Sequence, residues 1–219
     1  MITINFCNTT YLTDTMQSSA MALLPDFMQK QASAYVKEED RKRCVLGKLL
    51  LLKGLMNLGY GRHVLSEVRP GNHQRPYLNS QVDFNISHAG NYVACALSTE
   101  TRLGIDLEQV QPLNLDSMKE LVLNENECKR LAEAQRPLDY FYDIWTLKEA
   151  ALKAGGTGLM SPISEVEISR DQVLCCGESW SYQNLAIHPD YKCHIVYKGN
   201  ASLQLRELKA AELLPASLF

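Results

Sequence analysis

The sequence predicts an α+β fold of two similar halves, each a run of helices followed by antiparallel strands. Three observations carry that expectation. A long stretch near 38–57 has helical periodicity, strand-like runs follow it between 84 and 108, and the same order returns between 116 and 208. At 219 residues the chain is long for one compact domain and short for two ordinary ones, which allows a single unit or two closely packed halves; with the repeated order of elements, halves at 1–104 and 105–219 are expected. No sequence repeat accompanies the pattern, so the duplication is one of architecture, and a cleft between halves is a natural place for a ligand.

The elements follow in order. Val45, Leu46, Leu49, Leu52, Leu55 and Met56 recur at three- and four-residue steps, which predicts a helix over 38–57, with Gly59 just beyond as its stop. The polar, turn-rich run from Arg69 to Pro76 reads as a loop. Phe84-Asn85-Ile86-Ser87 and Tyr92-Val93-Ala94-Cys95-Ala96-Leu97 flank a turn at Ala89-Gly90-Asn91, and 103–108 makes a third strand of one meander. Helices are then expected over about 116–134 and 139–153, followed by short strands near 163–169, 180–187, 192–197 and 202–208.

Composition excludes several classes. With 46% hydrophobic and 21% charged residues the chain reads as a soluble globular protein. A formal charge of −3 argues against a protein that coats nucleic acid, since that work needs a broad basic surface. No stretch approaches the ~18 apolar residues of a membrane span, and the start lacks the features of a secretory signal. Seven cysteines without a paired C-x-x-C spacing point to reduced thiols and a cytoplasmic address, with Cys175 and Cys176 packing at a strand end.

The chemistry concentrates in two motifs. In Gly104-Ile105-Asp106-Leu107-Glu108 the strand period of two puts both carboxylates on one face. In Trp145-Thr146-Leu147-Lys148-Glu149-Ala150-Ala151-Leu152-Lys153, a helix places Glu149 and Lys153 on one side. Asp106, Glu108 and Glu149 would supply the oxygen set that a phosphate-handling cation such as magnesium takes, and manganese suits it too. The alternatives are a solvated edge strand for Asp106 and Glu108, and for Glu149 a salt bridge to Lys153 or an arginine. Like charges on one strand face repel, however, and a bound cation removes that problem.

Ser87 and His88 point to opposite faces of a strand, so no hydrolase triad forms there. His88 is placed either as a donor to phosphate or as an exposed turn histidine. Gly155-Gly156-Thr157-Gly158 follows its helix and lacks the Lys-Ser/Thr of a P-loop, so it reads as a helix C-cap. Arg43 and Arg75 could each grip a phosphate with two nitrogens, or be solvated charges.

In order and spacing, Arg75-Pro76, Phe84-Asn85-Ile86-Ser87-His88, the Gly104 motif and the Trp145 motif together resemble the phosphopantetheinyl transferases that modify carrier proteins. The likeness runs from about Val36 to Ser169 and suits the larger, monomeric, pseudo-twofold branch of that family. The resemblance implies an active site at the interface of the halves. There Asp106, Glu108 and Glu149 hold magnesium against the pyrophosphate of coenzyme A. It further implies that Glu127 helps deprotonate the attacking serine or completes the metal shell, and that Lys153 steadies the leaving phosphate. Ser87 lies in the same signature, His88 contacts the pyrophosphate, and Arg43 and Arg75 grip the nucleotide's phosphates. Two positions depart from the pattern: the family often has Lys at Arg75 and Ser or Thr at Ala89. The implied reaction transfers the 4′-phosphopantetheine arm from coenzyme A to a serine of an apo acyl or peptidyl carrier protein. The competing expectations are a non-catalytic coenzyme A-binding relative and a magnesium-dependent phosphohydrolase.

Overall fold

The computed structural model describes residues 1–71, 73, 75–79, 81–158 and 162–214. The chain forms β1 (Ile2–Asn8), α1 (Asp14–Ala22), α2 (Asp26–Ser33), α3 (Glu38–Asn57), β2 (Arg69–Pro70), β3 (Pro76–Tyr77), β4 (Asp83–Ala89), β5 (Tyr92–Ser98) and β6 (Leu103–Gln109). Then follow α4 (Leu115–Val122), α5 (Glu125–Glu133), α6 (Pro137–Gly155), β7 (Glu167–Ile168), β8 (Gln172–Cys175), β9 (Glu178–Asn184), β10 (Tyr191–Tyr197), β11 (Leu203–Glu207) and α7 (Ala210–Leu213). These elements make an α+β fold of two compact units.

The first unit comprises Met1–Arg69, Pro76–Glu100 and Ser202–Phe219. Its sheet has the order β11-β1-β5-β4, in which β1, β5 and β4 are antiparallel and β11 joins β1 in parallel. Helix α3 packs on β5 and buries Val45, Leu46, Leu49, Leu50 and Leu55 completely. Its apolar residues recur with the helical period, so one stripe of the helix faces the sheet. Gly47 and Gly54 let it lie close, since a Cβ at Gly54 would stand 2.5 Å from Leu97 Cδ1.

The second unit comprises Pro70–Arg75 and Thr101–Ala201. Its sheet, β6-β10-β9-β8-β7, is antiparallel throughout, and α6 lies across β6 and β10. Pro137 opens α6 at a position where the missing N–H costs nothing, and Gly156, with φ +74°, closes it. Ala150, Ala151, Leu152 and Ala154 on its inner face pack with Val173, Trp180 and Val196 of the sheet.

Three expectations are corrected. β6 is not the third strand of a meander with β4 and β5: it pairs with β10, and the edge of β5 is taken by β1, a strand the sequence reading did not register. The single helix expected over 116–134 is two. At the break Asn124 Oδ1 accepts from Glu127 N–H at 3.0 Å while Glu127 Oε2 accepts from Asn124 N–H at 2.9 Å. Such a capping box satisfies orphan amides and starts a new helix. Finally, the units do not divide at 104 and 105: the change comes at Glu100, and Ser202–Phe219 belongs to the first unit, because β11 completes its backbone hydrogen bonds on β1.

Candidate functional site

The second unit carries most of the candidate residues, and a glycine sets their geometry. Gly104, Asp106 and Glu108 share one face of β6, while Ile105 and Leu107 are fully buried on the other. A Cβ at Gly104 would lie 3.0 Å from Ala154 Cα and closer still to the Ala150 carbonyl oxygen and the Ala154 nitrogen. Only glycine lets α6 touch the strand there, which turns Asp106 and Glu108 toward the helix side that bears Glu149 and Lys153.

Lys153 Nζ donates to Asp106 Oδ1 at 2.6 Å, and Asp106 is only 3% exposed. The salt bridge considered for Glu149 is therefore taken by Asp106. Burial, reinforced by the charge of Asp106 and opposed by Lys153, raises the Glu149 carboxyl above its ordinary range. Burial and then the charge of Asp106 push Glu108 up to about 7, with Lys153 opposing and Glu149 adding a further repulsion. The three carboxylates thus feel one another through partly dehydrated space.

Among the described residues no three His, Cys, Asp or Glu side chains stand in a ready ligating arrangement. The ammonium of Lys153 sits on the Asp106 carboxylate and does part of the neutralising. The donor chemistry still fits a hard divalent cation, since all three groups offer oxygen and their mutual repulsion is what such an ion relieves.

The unit holds two further buried polar groups, and the sequence reading passed over both. His194 stands opposite Asp106 in the β6–β10 register, is 4% exposed, and has Nδ1 2.8 Å from Thr146 Oγ1. Burial holds it down to about 4, so its ring is neutral near pH 7. Lys148 is fully buried, donates to Val122 O at 2.9 Å and pairs with Glu127 Oε2 at 2.6 Å. Burial lowers this lysine and Glu127 counteracts the shift. Its signal was in the sequence: Lys148 falls within the apolar stripe formed by Ile144, Ala151 and Leu152.

The candidate arginine of this unit, Arg75, shares a structural task with Arg102. Arg75 donates to the Lys153 carbonyl and, at 2.9 Å, to Leu103 O, and Arg102 donates to Ala154 O and Gly155 O at 3.0 and 3.1 Å. Both satisfy carbonyls that the end of α6 and the start of β6 leave open, and their charge complements the helix dipole. Arg75 thereby ties β6 to the turn of α6 that bears Lys153.

The first unit holds Arg43, Ser87 and His88. Arg43 Nη1 donates to Gly90 O at 2.7 Å and its other nitrogen pairs with Asp40. That fixes the guanidinium beside the β4–β5 turn, where Gly90 has φ +49°. Ser87 is 6% exposed and His88, on the opposite face of the edge strand β4, is exposed. His88 is therefore the one of the two that solvent reaches.

Residues 102–197 match the family model described as the 4′-phosphopantetheinyl transferase superfamily, and residues 13–100 match 4′-phosphopantetheinyl transferase, N-terminal. The chain belongs to the 4′-phosphopantetheinyl transferase superfamily. The superfamily match covers β6, α6 and β10, the elements that assemble the acidic face. Among its relatives, the 4′-phosphopantetheinyl transferase gsp of Aneurinibacillus migulanus is 32% identical over 63% of this chain and 58% of its own length. The 4′-phosphopantetheinyl transferase Sfp of Bacillus subtilis is 27% identical over 69% of each chain. The 4′-phosphopantetheinyl transferase HetI of Nostoc sp. is 29% identical over 81% of this chain and 78% of its own.

Proposed function

We propose that this chain transfers the 4′-phosphopantetheine arm of coenzyme A to a serine hydroxyl of an apo acyl or peptidyl carrier protein and releases adenosine 3′,5′-bisphosphate. The observation that carries the reading is the buried acidic face of β6 held against α6, with Lys153 2.6 Å from Asp106. Phosphoryl transfer needs positioning and charge neutralisation more than covalent help. A compact set of carboxylates with a lysine ammonium among them suits that need.

Asp106, Glu108 and Glu149 would hold magnesium, or manganese in its place. When bound, the ion neutralises charge on the diphosphate and polarises its oxygens. Lys153, on the last turn of α6, steadies the phosphate that leaves. Glu127 accepts the proton of the attacking serine, with the buried Lys148 as its counter-charge. His88 offers its ring to the diphosphate from the exposed side of β4, while Arg43, Ser87 and Arg75 bind the nucleotide's phosphates. In this role Arg75 has only the capacity left by its contacts, the Lys153 and Leu103 carbonyls among them.

Among the described residues no helix is long and apolar enough to cross a membrane. The seven cysteines form no disulfide, which supports a reducing, cytoplasmic setting, and we read the protein as a monomer.

Intact-mass measurement of apo carrier proteins mixed with this protein, coenzyme A and magnesium tests the proposal. The carrier should gain one phosphopantetheine at its serine. Coenzyme A binding without any gain in carrier mass would reveal a ligand-binding relative instead, and metal-dependent release of inorganic phosphate without acceptor would reveal a phosphohydrolase.

A further inference from the structure

The pair Cys175-Cys176 has no part in the chemistry above, yet its geometry is specific. Cys175 ends β8 and pairs with Glu178 at the start of β9, so Cys176 and Gly177 are the two residues of the hairpin loop. Both have positive φ, 55° and 74°, as a type I′ turn requires. Asn, Asp and Gly are the residues that accept this backbone readily, and a cysteine in the left-handed region is an outlier. A strained backbone at one residue is a reason to look for what that residue does.

The turn brings the two sulfurs to 3.3 Å. Cys175 is 3% exposed and burial pushes its thiol up to about 12, whereas Cys176 is exposed. Cys176 Sγ also lies 3.4 Å from Thr157 Oγ1, and a Cβ at Gly155 would be 3.2 Å from it, so the dithiol rests against the end of α6. One thiol is thus accessible, and a second, shielded one is already beside it.

We propose that Cys175 and Cys176 are a redox dithiol, oxidised by hydrogen peroxide to a vicinal disulfide, with Cys176 as the attacked thiol and Cys175 as the resolving one. The Cys176 thiol ionises, its thiolate attacks one peroxide oxygen and breaks the O–O bond, and the departing hydroxide takes up the proton shed on ionisation as water, leaving a sulfenic acid. The Cys175 sulfur then attacks Cys176 Sγ, the S–O bond breaks, and the departing hydroxide takes the Cys175 proton as a second water. Two thiols lose two electrons and two protons in all. The sulfurs must close from 3.3 Å to about 2.05 Å. Adjacent Cα atoms stand ~3.8 Å apart, below the usual disulfide range of about 4.4–6.8 Å, so the bond is strained and readily reduced.

The test uses the full chain, reduced, desalted and treated with peroxide at neutral pH, then denatured, alkylated with N-ethylmaleimide and cut with trypsin. Peptide 171–192 holds these two cysteines and no other, since Cys193 follows the cleavage site at Lys192. That peptide should be lighter by two hydrogens and carry no adduct, and dithiothreitol before alkylation should restore two adducts. Cys176→Asn keeps the turn, because Asn tolerates positive φ, and should leave Cys175 as a thiol that takes one adduct after peroxide. Two adducts on the oxidised wild-type peptide would overturn the proposal. So would sulfinic acid at Cys176 beside an alkylated Cys175, or a disulfide to any other peptide.

Discussion

Replacing Lys148 by methionine removes the ammonium that lies 2.6 Å from Glu127 Oε2, with Lys148 fully buried and Glu127 4% exposed. The shape is nearly kept, so the loss is electrostatic: a carboxylate stays buried without its counter-charge, at a cost of about 3–5 kcal/mol. The same change leaves Val122 O without the donor now at 2.9 Å, which adds about 1 kcal/mol or more. Against a total stability of roughly 5–15 kcal/mol this is a large fraction. Glu127→Gln in the same background removes the stranded charge while keeping an oxygen for the Asn124 amide, and should recover about 1–3 kcal/mol as a coupling energy. Urea unfolding followed by the fluorescence of Trp145 and Trp180, both in the second unit, reads these differences. In Lys148→Met the lone Glu127 is costly to bury only in its charged form. Its deficit should therefore be small at acidic pH and grow as pH rises through and beyond the ordinary carboxylate range. A single variant within about 1 kcal/mol of wild type at pH 8, or a double variant no more stable than the single, would refute the reasoning. The double variant also separates stability from chemistry, since it should fold and yet fail to modify a carrier protein.

Gly104→Ala forces a methyl into the backbone of α6 and should cost about 1–3 kcal/mol or more by urea unfolding. Wild-type stability would mean that the strand and helix are not in contact there. Glu108, pushed up to about 7 from 4.5, binds its proton more tightly folded than unfolded, so its contribution to stability is lost as pH rises from about 4.5 to 7. His194, held down to about 4, acts with the opposite sign between about 4 and 6.5. The measurement that isolates Glu108 is the wild type against Glu108→Gln in chelator, where the variant should gain on the wild type with rising pH; a constant difference across the window would contradict this. Lys153→Ala should lower kcat for carrier modification by roughly 10²-fold or more with a small change in KM, because its charge matters most as negative charge builds on the leaving group. An unchanged kcat would remove Lys153 from that role.

How much of this was legible in the residues differs from element to element. Helix α3 was readable because its apolar residues run densely from Val45 to Leu55, and β4 and β5 because a glycine turn separates two apolar runs. The capping box at Asn124 and Glu127 was equally local and simply overlooked. Strand β1 and the short helices α1 and α2 were not anticipated.

Local order along the chain was enough to place Asp106 with Glu108 on one strand face and Glu149 with Lys153 on one helix side, because both statements need only the periods of strand and helix. It could not say that Lys153 pairs with Asp106 rather than Glu149, that Lys148 and Glu127 meet across 21 residues, or that Arg75 caps the end of α6. Nor could it say that β6 joins β10 and β11 joins β1. Pairing partners far apart in sequence are chosen by which edges and buried charges remain unsatisfied once the helices have packed, and that choice exists only in the folded chain.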